Sequence, residues 1–277
     1  MNKLININGQ LMDFDRPRVM GILNVTPDSF YADSRSQSAD EVAHRVHQIL
    51  DEGGDIIDIG AYSSRPFAEH ITPDEEISRL RWALDIVRRE AEDAVLSVDT
   101  FRSDVAKMCV EEYDVAIIND ISGGEMDKQM FATIAELRVP YILMHMKGTP
   151  QDMQVSPTYE HLMKEVLYYF SKKMAQLRDL GVNDIIIDPG FGFGKTVDDN
   201  YLMLEHLEDF QLFEVPLLVG VSRKSMIYKV LGGAPETALN GTTALNTVAL
   251  MKGADILRVH DVREAKEVIS IVEKLKR

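Results

Sequence analysis

Residues 185–192 read Ile185-Ile-Ile-Asp-Pro-Gly-Phe-Gly192. Three consecutive isoleucines are apolar on both faces of an extended chain, which is the signature of a strand covered on both sides. The Asp-Pro-Gly that follows stops the strand in a turn and leaves a carboxylate at its end. Working outward, the same design recurs at Val19–Thr26, Ile56–Gly60, Val95–Thr100, Val115–Ser122, Tyr141–Lys147, Leu217–Lys224 and Ile256–Asp261. Between these runs the apolar period lengthens to that of a helix. Residues 40–52 place Val42, Val46, Ile49 and Leu50 on one face, and residues 264–275 do the same with Val268, Ile271, Val272 and Leu275. Residues 74–93, 102–112, 127–137 and 159–180 have similar periodicity. Strands alternating with helices imply parallel pairing through right-handed crossovers. Eight such units with polar residues at nearly every strand end favour a closed (β/α)8 TIM barrel over an open doubly wound sheet. A chain of 277 residues suits one barrel, which commonly takes ~250.

At the N-terminus, Leu4–Ile7, Asn8-Gly9 and Leu11–Phe14 read as a hairpin with a favoured two-residue turn. Residues 1–16 would close the bottom of the barrel, within a single domain spanning 1–277. A net charge of −15 argues against general affinity for nucleic acid or membrane and does not exclude an anionic substrate, because cations can cluster locally. The one cysteine, Cys109, falls in a helical pattern and reads as a packed thiol in a reducing cytosol. The first residues lack an apolar leader core, and no run approaches the roughly 18 apolar residues of a membrane span. A cytoplasmic location is therefore expected.

In an α/β barrel, catalytic groups stand at the C-terminal ends of the strands. Here those ends supply Asp99, Asn119, Asp188 and Lys224. Each alone could be a helix cap or a surface polar residue. Together a carboxylate for an N–H/NH2 edge, an amide that donates and accepts, and an ammonium for a ring carbonyl suit a planar, nitrogen-rich bicyclic substrate. Arg258 and His260 leave the last strand on one face, near the corner where barrels bind phosphate, and a guanidinium grips phosphate oxygens bidentately. Asn24 offers one oxygen to Mg2+, a cation that keeps waters and substrate phosphates as most of its ligands. His145 reads as a packing residue. Residues 189–196 (PGFGFGKT) miss the P-loop pattern by a proline at the first glycine position. Their glycines are expected to bring backbone close to a flat ligand, with Phe193 beside it. Ser222 lacks the Gly-x-Ser-x-Gly elbow, and no Ser/His/Asp or Cys/His nucleophile pattern stands out. Residues 27–39 and 61–73 are long loops at the same end, where such loops commonly carry function.

Seven ordered motifs resemble the dihydropteroate synthase family. They are Asn24-Val-Thr-Pro-Asp-Ser-Phe30, Ser64-Arg65-Pro66, Ser97-Val-Asp-Thr100, Asn119-Asp-Ile-Ser-Gly123, Asp188-Pro-Gly-Phe-Gly-Phe-Gly-Lys195, Gly220-Val-Ser-Arg-Lys-Ser225 and Arg258-Val-His-Asp-Val262. The resemblance covers about residues 18–277. It implies a transferase of folate biosynthesis, of the class that sulfonamides target. The enzyme would join 6-hydroxymethyl-7,8-dihydropterin diphosphate to 4-aminobenzoate and release 7,8-dihydropteroate and diphosphate. By the same resemblance, Asp99, Asn119, Asp188 and Lys224 would hold the pterin, with Met144 and Arg258 flanking its ring. Asn24, Arg258 and His260 would hold diphosphate with Mg2+. Ser64, Arg65, Pro66, Phe193, Ser222 and Lys224 would surround 4-aminobenzoate. Catalysis would rest on Asp99, Lys224, Arg258 and His260, in a homodimer, by dissociative displacement. Two departures stand in the second loop: the family's Gly-Gly-Glu-Ser-Thr-Arg-Pro-Gly is here Gly60-Ala-Tyr-Ser-Ser-Arg-Pro-Phe67. The first loop also lacks the family's paired glycines after Phe30. A pterin-binding methyltransferase domain and a catalytically silent pterin-binding protein are the alternatives.

Overall fold

The structure, a computed structural model, describes residues 3–25, 35–62, 71–149 and 157–275. The chain opens with β1 (Leu4–Ile7) and β2 (Gln10–Asp13), an antiparallel hairpin in which Ile7 pairs with Gln10. Asn8 and Gly9 both have positive φ (48° and 85°), the geometry that a two-residue hairpin turn requires and that Asn-Gly accepts. The remaining strands are β3 (Arg18–Asn24), β4 (Ile56–Gly60), β5 (Leu96–Asp99), β6 (Ile117–Asp120), β7 (Tyr141–Met144), β8 (Ile185–Asp188), β9 (Leu218–Val219) and β10 (Ile256–Val259). They form one parallel sheet in the order β8-β7-β6-β5-β4-β3-β10-β9. A parallel bridge between Ile187 and Leu217, with the Ile187 N–H donating to the Pro216 carbonyl at 3.0 Å, joins its two ends into a barrel.

Helices α1 (Arg35–Asp51), α2 (Pro73–Glu90), α3 (Ser103–Tyr113), α4 (Met130–Leu137) and α5 (Leu162–Asp179) occupy the crossovers foreseen from periodicity. So does the closing helix α9 (Val262–Leu275). Between β8 and β10 lie three more: α6 (Val197–Glu205), α7 (Ser225–Leu231) and α8 (Leu239–Met251). Local chemistry starts several of these helices. The Thr72 hydroxyl accepts the Glu75 N–H ahead of Pro73, and Thr196 with Asp199 forms a reciprocal capping box at α6. The outward strand residues, such as Ile57, Ile59, Val98, Leu143, Ile187 and Leu257, pack against this helical ring in one large core. Cys109 is fully buried there on α3.

The inward residues decide where the site can be. Met20, Ile56, Ile117, Ile142, Ile186, Leu218 and Ile256 fill the lower barrel, joined by Ile5 and Ile7 of the hairpin. Burying a side chain of this size is worth ~1.5–3 kcal/mol, so the two isoleucines give the hairpin a reason to plug the barrel bottom. Side chains on a strand return to the same face every second residue. Two residues beyond this apolar layer, the inward positions are therefore Ile22, Asp58, Asn119, Met144, Asp188, Gly220 and Arg258. Within one step along the strands, Asp58, Asn119, Asp188 and Arg258 bring polar and charged groups to a barrel that is hydrocarbon below.

Candidate active site

At the centre of the charged layer, Arg258 joins two carboxylates from different strands. Its Nε donates to Asp58 Oδ2 at 2.6 Å and its Nη2 to Asp99 Oδ2 at 3.1 Å. Asn119 Nδ2 donates to the same Asp58 oxygen at 3.2 Å. Asp58 is fully buried, and its other oxygen, Oδ1, has no partner among the described residues. Burial alone would lower the Arg258 pKa. Asp58 and Asp99 outweigh it and hold the guanidinium charged. Burial, aided by Asp58, pushes the Asp99 carboxyl up to about 7 against the pull of Arg258. Behind Asp99, Thr100 Oγ1 donates to the buried Glu76 of α2 at 2.7 Å, and Glu76 pairs with Arg102, which holds the end of β5 from outside the barrel.

Asp188 ends β8 and accepts the Gly190 N–H on Oδ1 at 2.7 Å. No other hydrogen bond to this side chain is found among the described residues, so its second oxygen remains available as an acceptor. Burial raises the Asp188 carboxyl above the usual range while nearby Lys224 pulls it down. Lys224, the residue preceding α7, donates from Nζ to the Phe191 carbonyl at 2.5 Å and lies 4.7 Å from the centre of the Phe193 ring. Burial brings its ammonium down to about 8, with Asp188 opposing. Met144 is buried in an apolar wall with Tyr62, Ile71, Phe101 and Ile121, against which Phe193 packs. Tyr62, the departure from the family's glutamate, stands edge-on to Phe101 with ring centres 5.0 Å apart.

The loop after β8 is held by a residue that sequence reasoning did not single out. Lys195, 2% exposed, directs Nζ to the carbonyls of His145, Gly190 and Phe193 at 3.2, 3.0 and 3.0 Å, and to His145 Nδ1 at 3.0 Å. Burial lowers this ammonium to about 7 and keeps His145 neutral, well below the ordinary histidine pKa. His145 is thus a packed, hydrogen-bonded support. One glycine of this loop also serves the fold itself. A Cβ on Gly190, whose φ is 72°, would lie 2.0 Å from the His145 carbonyl oxygen. The close approach it permits is to the residue that follows β7, which packs the loop onto the barrel.

Next round the mouth, His260 follows β10 and meets Ser222, which follows β9, with His260 Nδ1 and Ser222 Oγ 2.9 Å apart. Arg45 of α1 donates to the His260 carbonyl at 2.6 Å, and Arg223 grips Asp261 with two hydrogen bonds. Asn24 stands exposed at the end of β3, opposite Gly60 in register. Ser64, Arg65, Pro66 and Phe67 lie outside the described residues, as does most of the first loop. Asp99, Asn119, Asp188, Lys224, Arg258 and Met144 thus share the barrel mouth.

A barrel floored by hydrocarbon, with acid, amide and base at the strand ends, is shared by many enzymes, and here comparison with known proteins narrows the field. The profile of the family described as pterin binding enzyme matches residues 20–260. The dihydropteroate synthase of Escherichia coli (strain K12) is 39% identical over 267 residues, covering 96% of this chain and 94% of its own. The chain belongs to the dihydropteroate synthase family. Among solved structures of that family, the Yersinia pestis enzyme in complex with a sulfonamide drug superposes with a TM-score of 0.87 at 38% identity, covering 99% of this chain and 98% of its own. The Xanthomonas albilineans enzyme with 4-aminobenzoic acid gives a TM-score of 0.90 at 33% identity, covering 100% and 99%. Both support the TIM-barrel assignment made from strand and helix alternation.

Two residues outside the sequence-derived set carry much of this geometry: Asp58 and Lys195. Asp58 had a signal, a lone carboxylate inside the apolar run Ile56-Ile-Asp-Ile-Gly60. A charge in such a strand needs a buried partner, and Arg258 provides it.

Proposed function

We propose that the protein is a dihydropteroate synthase that condenses 6-hydroxymethyl-7,8-dihydropterin diphosphate with 4-aminobenzoate, releasing diphosphate. The observation that carries this reading is the convergence of Asp99, Asn119, Asp188, Lys224 and Arg258 above a sealed apolar floor. Asp188 offers a free carboxylate oxygen to the N–H edge of a pterin. Asn119 both donates and accepts, and Lys224 donates to the ring carbonyl or ring nitrogen. Met144 and Arg258 supply the flanking surfaces; Phe193 and Ser222, with Ser64, Arg65 and Pro66 by the family resemblance alone, are assigned to the arylamine.

Such a site needs no protein nucleophile. Loss of diphosphate leaves a CH2 cation conjugated to an electron-rich ring, so catalysis is stabilisation of separating charge. Asp99 stands where a developing cation would favour its charged form. Arg258 and His260 face the leaving group, and the loops place the amine near the carbon. Among the described residues no group of three or more acidic, histidine or cysteine side chains gathers to hold a metal. A single Asn24 oxygen suits Mg2+ that takes its other ligands from diphosphate and water. When bound, Mg2+ would neutralise charge on the leaving group.

The homodimer expected for the family finds support in an exposed apolar face on α6 and α8, where Leu202 is 41%, Val248 38% and Met251 51% exposed. Sedimentation equilibrium of the whole chain reads that state directly. No helix among the described residues is long and apolar enough to cross a membrane.

Ordered binding tests the proposal. In calorimetry, 4-aminobenzoate should bind well only after Mg2+ and diphosphate are present, because they scaffold the loops that complete its site. Equal affinity for the free protein would contradict it.

A further inference from the structure

His260 and Ser222 share two hydrogen bonds. The His260 backbone N–H donates to Ser222 Oγ at 3.1 Å, and His260 Nδ1 lies 2.9 Å from the same oxygen. The second contact allows either atom to be the donor, and the choice sets the tautomer of the ring. Ser222 is 5% exposed and has no further hydrogen bond among the described residues. If Nδ1 carried the proton, the Ser222 hydroxyl hydrogen would have no acceptor among the described residues, because its other partner is itself an N–H. A buried hydroxyl without an acceptor is disfavoured. With Nδ1 bare, the hydroxyl donates to it, and the hydroxyl hydrogen and the His260 backbone N–H are both used between the two residues.

The charged ring is the remaining arrangement, and its surroundings oppose it. Arg258 lies on the same strand, Arg45 reaches in from α1, and Arg223 approaches from the loop after β9. Asp261, the one acid acting on the ring among the described residues, is gripped by Arg223. Burial, with Arg258 adding to it, lowers the His260 pKa to about 4. Nε2, on the far side of the ring, has no hydrogen-bond partner among the described residues and is not sealed from solvent.

We propose that Ser222 is a positioning residue that holds His260 as the Nε2–H tautomer, so that an uncharged ring presents one fixed N–H donor to an oxyanion in the barrel mouth. The identity of that oxyanion as diphosphate rests on the function proposed above; the tautomer does not. A donor of this kind acts without first taking up a proton. Its contribution is therefore flat across neutral and mildly alkaline pH.

Nitrogen NMR of the whole protein carrying isotopically labelled histidine tests this, with the His260 signals assigned by their loss in His260→Gln. In the free protein at neutral pH, Nδ1 should be bare and Nε2 protonated. Ser222→Thr, which keeps the hydroxyl, should preserve that pattern, and Ser222→Ala should give a mixture of both tautomers. Diphosphate affinity in the presence of Mg2+ should fall roughly threefold to tenfold in Ser222→Ala and return in Ser222→Thr. A ring protonated on Nδ1 in the wild type overturns the proposal, and that reading does not depend on any variant folding. So does an Nε2–H ring that survives Ser222→Ala unchanged. A Ser222-dependent Nε2–H ring in a protein that binds no diphosphate would support the tautomer assignment and count against the proposed function.

Discussion

Arg258 of β10 reaches across the barrel interior to Asp58 of β4, Nε to Oδ2 at 2.6 Å, two hundred residues away in sequence. The contact sets the plane of the guanidinium and leaves Nη2 for Asp99 at 3.1 Å. A face assigned to substrate is thus oriented by a residue that substrate need not touch. Removing one member of a buried ion pair strands the other, at ~3–5 kcal/mol. Asp58→Ala should fall at the low end of that range, because Arg258 keeps Asp99, and urea denaturation measures it. Pterin affinity should drop as well. A variant of unchanged stability would show that the pair is not what holds Arg258.

Asp188→Asn addresses the pterin edge. The carboxylate already accepts the Gly190 N–H on one oxygen, and the proposal assigns the other to substrate donors. An amide turned to keep the Gly190 bond places its own N–H against those donors. Mismatched polar groups of this kind cost a few kcal/mol, so pterin affinity should fall by about one to two orders of magnitude with little loss of stability. Unchanged affinity in calorimetry would remove the role.

Asp99 makes a pH prediction with a definite sign. Its folded pKa of about 7 exceeds the ordinary aspartate value of 3.8. Between those values the folded state binds more protons than the unfolded one, so stability falls as pH rises. The contribution is complete below the lower value and lost through the upper one. Asp99→Asn lacks this titration. Wild type should therefore lose stability relative to the variant between these pKa values and run parallel to it at higher pH. Denaturation midpoints of both proteins across that range check the slope, and a relative gain by wild type on going alkaline would reverse the sign.

Much of this was legible before any coordinates, for physical reasons. Short Val/Ile-rich runs bounded by turn residues, such as Ile185-Ile-Ile before Asp-Pro-Gly, read as strands buried on both faces, and their polar ends met once the barrel closed. The Asn8-Gly9 turn carried its own backbone requirement. Less visible was anything that depends on which inward positions oppose one another. Asp58 meets Arg258 only because β4 and β10 both border β3 in the sheet, and register between distant strands is not written in either strand. Lys195 was hidden differently. It stands in a glycine-rich stretch that suggests a ligand loop, whereas its donors point back into the fold. The helices α6, α7 and α8 escaped notice because weakly patterned or short helices such as Ser225–Leu231 leave little periodicity to read.

Lys195→Met follows from that observation. It would leave the carbonyls of His145, Gly190 and Phe193 without their shared donor, at a cost on the order of 3 kcal/mol. Because Phe193 and the Lys224 acceptor Phe191 belong to this loop, 4-aminobenzoate affinity should fall in parallel. A large loss of stability with intact 4-aminobenzoate binding would separate the loop from that subsite.

The most direct measurement is turnover. Purified protein would be supplied with 6-hydroxymethyl-7,8-dihydropterin diphosphate, Mg2+ and radiolabelled 4-aminobenzoate, alongside Arg258→Ala. The account predicts labelled dihydropteroate with an equal amount of diphosphate. In the variant turnover should fall by roughly tenfold to a hundredfold, the worth of a charge-assisted contact of ~1.5–3 kcal/mol. A folded wild-type protein that binds the pterin diphosphate and transfers nothing would contradict it and leave a pterin-binding protein without this chemistry.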